Sequence, residues 1–150
     1  MIKPSRISTL LLVVLLFSTT HLLSEELKPF TSDGCSSFPN GTVQHQSLWI
    51  NCCIQHDFSY WKGGTREQRL KADNELEICV SKIGKPEIAK IMLYGVRVGG
   101  SPYIPTPYRW GYGWNYLRGY KKLSDNDLKE VKRQLNKTIT ILQEFDKNLK

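Results

Sequence analysis

Little in this chain alternates between apolar and polar residues as a half-buried strand must, and no internal repeat is visible along its 150 residues. The first absence turns the search for structure toward helices, and the second gives no sign of a repeat architecture. The length leaves room for one compact domain plus an extension, which excludes a multidomain machine. Acidic residues are scarce beside basic ones, 14 against 21, so the formal net charge is +7. A basic surface outside the cytoplasm meets anionic lipid headgroups, cell-wall polymers or nucleic acid, and charge by itself does not choose among them.

Long apolar runs are also missing, apart from residues 7–16, which are too short to span a bilayer comfortably as a mature helix. Lys3 and Arg6 precede that run and Ser18, Thr19 and Thr20 follow it, the layout of a secretory signal peptide. Leu22 and Leu23 lengthen the stretch and no clean A-x-A site follows, so the competing possibility is an uncleaved anchor. The expected organisation is a leader over residues 1–24, a domain over 25–122 and a C-terminal helix over 123–150. The mature chain stays basic and is expected to be secreted or periplasmic.

Cysteine is limited to four, Cys35, Cys52, Cys53 and Cys79, all beyond the leader. An even number in an exported chain suits two disulfides. A bond between Cys52 and Cys53 would be strained, because neighbouring side chains on a helix point about 100° apart. Cys35 and Cys79 then each take one of the pair. The alternative, thiolates and His56 around zinc, matches no familiar ligand spacing.

Residues 31–46 are rich in Gly, Pro, Asn and Ser and read as a structured loop. A helix is predicted over about residues 47–61, stopped by Gly63 and Gly64. Thr65 and Gln68 form a capping box for a second helix running to about Ile83, with Leu70, Leu76, Cys79, Val80 and Ile83 on its buried side. The short glycine turn makes the two helices antiparallel neighbours. Pro86 opens a third apolar stretch through Val98.

Cys52 and His56 lie four residues apart on the first helix; Asp73 and Cys79 lie six apart on the second. Moving forward along one is matched by moving backward along the other, by roughly 6 and 9 Å. A Cys52–Cys79 bridge would therefore bring Asp73 near the His56 ring and leave Cys35 for Cys53, which pins residues 33–40 near Asp57. An imidazole oriented by a carboxylate can take a proton from water, and Asp57 with loop oxygens suits a hard cation such as calcium. Singly, His56 could be a hydrogen-bonded core residue, Asp73 a helix-start acid and Asp57 a solvated charge. Together they are better explained as a site.

The stretch CCIQHDFSY, residues 52–60, resembles the active-site helix of secreted phospholipases A2, whose pattern is two cysteines, two variable residues, then His and Asp. ADNELEICV, residues 72–80, resembles that family's second long helix, and DGC at residues 33–35 is most similar to its compact bacterial and fungal branch. The resemblance spans about residues 31–85. It implies an all-α, disulfide-braced domain with two antiparallel active-site helices, to which the C-terminal amphipathic helix is added. It further implies calcium-dependent hydrolysis of the sn-2 ester of glycerophospholipids, with His56 as base, Asp73 as its partner, and Asp33, Gly34 and Asp57 as calcium ligands. The implied partner is a phospholipid surface and not nucleic acid. Two departures stand out. Ser36, Ser37, Phe38 and Pro39 follow Cys35 where animal members have a glycine-rich calcium loop, and Ser59 and Ala72 stand where a further disulfide would fall.

Residues 103–120 carry seven Tyr and Trp side chains interleaved with Arg109 and Arg118. They suit a lipid interface, stacking on a nucleic acid or sugar, or a cover over the helical core. From Leu123 onward, Ser124 and Asp127 form a capping box. Leu128, Val131, Leu135, Thr138, Leu142, Phe145 and Leu149 then recur at alternating steps of three and four. That stripe needs a partner, either its own domain or, by self-association, a second copy. The functional alternative to an esterase is a non-catalytic lipid-, receptor- or polymer-binding module on the same scaffold.

Overall fold

A computed structural model describes residues 25–83 and 85–149, so the expected leader lies outside the described residues. Within them the chain is all-helical: α1 (Ile50–Lys62), α2 (Arg66–Lys82), α3 (Pro86–Gly99) and α4 (Asp125–Asn148). None of these helices is long and apolar enough to cross a membrane. Disulfides join Cys35 to Cys53 and Cys52 to Cys79, with Cα separations of 5.0 and 5.8 Å.

Helix α1 starts at Ile50, not Ser47. Trp49 is held out of helical geometry because its amide donates to the Asn40 carbonyl and its indole N–H to the Pro39 carbonyl. At the far end Gly63 and Gly64 take positive φ angles of 67° and 141°, which an L side chain resists. Thr65 and Gln68 then close the capping box that starts α2. Helix α2 buries Leu76 and Val80 as expected, but Arg69, Ala72 and Asp73 are buried beside them and Leu70 is only half-buried. Its inward face is thus partly charged, and apolar patterning alone misplaces it.

The main core lies where α2 packs against α1 and α3, and it is built from Trp49, both disulfides, Leu76, Val80, Ala89 and Met92. A second core gathers Leu27, Trp61, Trp114 and Val131. The aromatic segment mostly covers helices. Trp110 and Trp114 are buried and donate their indole N–H groups to the carbonyls of Gly64 and Lys62, while Tyr103 and Tyr116 stay exposed. The first half of α4 docks through Val131, Leu135 and Gln134, whose amide donates to the Leu27 carbonyl. Leu142 and Phe145 remain 61% and 63% exposed.

Candidate active site

His56 and Asp73 meet through packing of α1 on α2. The imidazole Nε2 lies 3.1 Å from Asp73 Oδ1, with His56 8% exposed and Asp73 fully buried. An ionised carboxylate only accepts, so Nε2 carries the proton and Nδ1 is left bare. Nδ1 has no hydrogen-bond partner among the described residues. His56 borders a cavity of about 250 Å³, whose wall also includes Gly34, Phe38, Asp57, Ile91, Met92 and Tyr108. A base bordering a mostly apolar cavity can act on an amphipathic molecule.

Asp73 is more heavily supported than the sequence suggested. The Tyr60 hydroxyl donates to Oδ1 at 2.7 Å, and burial, followed by the charge of Asp73, pushes that phenol far above its ordinary range, so it stays a donor. Arg97 Nε lies 2.8 Å from Oδ2, an ion-pair contact that is not aligned as a hydrogen bond. Arg69 Nε is 3.9 Å from the same oxygen and donates at 3.0 Å to the Tyr60 hydroxyl. Tyr60, Arg69 and Arg97 are site residues that the sequence reading missed. Tyr60 stands one helical turn after His56 and Arg69 one turn before Asp73, spacings that could have pointed to them. Arg97 left no such signal.

Asp57 is turned away from Asp73 toward the tethered loop, where the Ser32 hydroxyl donates to its Oδ2 at 2.6 Å. It is 8% exposed, and its pKa is pushed up to about 6, mainly by burial, with Asp33 adding to the shift and Ser32 and His56 opposing it. No Lys or Arg pairs with it among the described residues. Gly34 is buried with φ +82°, and a Cβ there would meet Asn40 Oδ1 at 2.4 Å, so the close turn requires glycine. The Asn40 side chain in turn accepts the Cys35 amide at 2.7 Å. Asp33 does not line the cavity; it is exposed and accepts the Ser36 hydroxyl at 2.6 Å, although its charge still reaches Asp57.

These oxygens fit a hard divalent cation. A buried carboxylate without a basic partner gains from one, and the Asp33 carboxylate and the Gly34 carbonyl, which accepts none of the loop's main-chain hydrogen bonds, are additional oxygen donors. Among the described residues no three His, Cys, Asp or Glu side chains gather as a metal-binding group; the expected set contains only two such side chains, Asp33 and Asp57. Compared with protein-family models, curated proteins and solved structures, the chain finds no match in any of the three.

Proposed function

We propose that the chain is an exported, calcium-dependent hydrolase of the sn-2 ester of glycerophospholipids. The observation that carries this function is the His56–Asp73 pair: Asp73 occupies Nε2 at 3.1 Å and leaves Nδ1 free at a cavity shared with Asp57. Through Nδ1, His56 takes a proton from water as the water oxygen attacks the ester carbonyl. His56 then returns that proton to the departing glycerol oxygen, giving a fatty acid and a lysophospholipid. Asp73 holds the imidazole in the Nε2–H tautomer and offsets the positive charge that the ring acquires. A calcium ion held by Asp57, Asp33 and the Gly34 carbonyl would polarise the ester carbonyl and stabilise the developing oxyanion. Phe38, Leu76, Ile91, Met92 and Val96 give the cavity an apolar wall suited to an acyl chain.

The test is fatty-acid release from phosphatidylcholine and phosphatidylglycerol vesicles, with calcium or with chelator. His56→Gln is expected to lower the rate by at least about a hundredfold, the scale of general-base catalysis. Chelator is expected to bring the wild type to background. Hydrolysis that is undiminished in His56→Gln removes the mechanism. Vesicle binding without hydrolysis by the wild type would identify the binding-module alternative.

A further inference from the structure

Asp73 is a fully buried carboxylate faced by two guanidinium groups, and those two groups are engaged differently. Arg69 is taken up elsewhere. Its Nε donates to the Tyr60 hydroxyl, one terminal nitrogen to the Tyr120 hydroxyl at 2.7 Å, and the other to the Val96 and Arg97 carbonyls at 2.8 Å each. Arg97 reaches back from α3 and places Nε 2.8 Å from Asp73 Oδ2, while its terminal nitrogen donates to Asn74 Oδ1 at 2.9 Å. It is the nearest cation to Oδ2 among the described residues.

A carboxylate rotates easily about its last torsion, whose preferences are broad and two-fold. Tyr60 and His56 both bear on Oδ1, so they leave Oδ2, and hence the plane of the group, to the partner on the other side. We infer that Arg97 is a positioning residue for His56: by fixing Oδ2 of Asp73 it keeps Oδ1 aimed at Nε2, and so keeps the bare Nδ1 at the cavity. The inference rests on the function proposed above for its catalytic consequence, but not for its structural one. A lysine at this position keeps a cation near Oδ2 but lacks the fork by which the guanidinium is anchored on Asn74, so it retains part of the effect.

The decisive measurement is ring-nitrogen NMR of the His56 imidazole in the intact, oxidised protein at a pH where the ring is neutral. The wild type is expected to show one tautomer with the proton on Nε2. Arg97→Gln is expected to show a mixture of tautomers, and Arg97→Lys to move it back toward the Nε2–H form. In vesicle hydrolysis Arg97→Gln should lower kcat by about tenfold with KM unchanged, and Arg97→Lys should recover part of that loss. Should Arg97→Gln fail to fold, Asn74→Ala removes the shorter of the two anchors of the guanidinium, leaving the 3.4 Å bond to the Leu70 carbonyl, and shifts both readouts the same way by a smaller factor. A single Nε2–H tautomer in Arg97→Gln, or in Asn74→Ala if only that variant folds, overturns the inference. If the wild type hydrolyses no phospholipid, the proposed function fails, while the tautomer result still decides the role of Arg97.

Discussion

In calcium-free protein the Asp57 carboxyl keeps its proton up to about pH 6, against an ordinary value of 3.8. Between those two values the folded state binds more protons than the unfolded one, so stability falls as pH rises through that window and stays reduced above it. A shift of this size corresponds to at most about 3 kcal/mol. Asparagine at position 57 keeps an acceptor for Ser32 and removes the buried charge. In chelator, Asp57→Asn is therefore expected to raise Tm at pH 7 and leave it unchanged near the acid end of the window. Calcium should raise the wild-type Tm at pH 7 but not that of the variant. Thermal melts with and without calcium check this, and a lower Tm for the variant at pH 7 in chelator would show that Asp57 is already compensated without a cation.

Helix α4 is two half-helices in its energetics. Val131, Gln134 and Leu135 are tied to the second core, whereas beyond Thr138 every described side chain is exposed. Truncation after Thr138 is expected to change stability by less than about 1 kcal/mol in urea unfolding, since every described side chain removed is exposed. If the exposed half pairs with a second copy, the full chain sediments as a dimer and the truncated chain as a monomer; monomers in both cases remove that proposal. The apolar stripe was legible in the sequence because it follows local helical periodicity, but nothing local says where the core ends. The same distinction divides the candidate site. The meeting of His56 and Asp73 was legible because, once Cys52 is bridged to Cys79, steps of four and six residues on antiparallel helices bring them together. Arg97 enters from α3, whose placement depends on packing between distant segments, and the burial of Arg69 runs against the usual preference of its residue type.

At the scale of the whole molecule, the two disulfides divide the work. Cys52–Cys79 joins α1 to α2 across 27 residues, and Cys35–Cys53 ties the loop to α1 across 18. Loop-closure entropy assigns each a stabilisation of about 3–4 kcal/mol, so the two double serine variants should lose similar stability in urea. Their activities should differ in kind. Loss of Cys35–Cys53 frees the segment holding Asp33 and Gly34 and should raise the calcium concentration needed for half-maximal hydrolysis, and loss of Cys52–Cys79 should lower kcat at saturating calcium. Equal calcium dependence in both variants would detach the loop from metal binding.

The end of α1 is completed by residues made much later. Gly111 and Gly113 donate their amides to the Tyr60 and Trp61 carbonyls, and the indoles of Trp110 and Trp114 reach Gly64 and Lys62 across 46 and 52 residues. Closure of these long loops costs entropy before the contacts can repay it, which places the event late in folding. A nascent chain halted before residue 110 has already made His56, Asp57 and Asp73, yet it lacks the segment that caps the helix bearing two of them. Assembly of the site is therefore tied to synthesis of the segment around residues 110–114, and a fragment ending at residue 105 is expected to show weak amide-exchange protection in α1 compared with the chain that includes it.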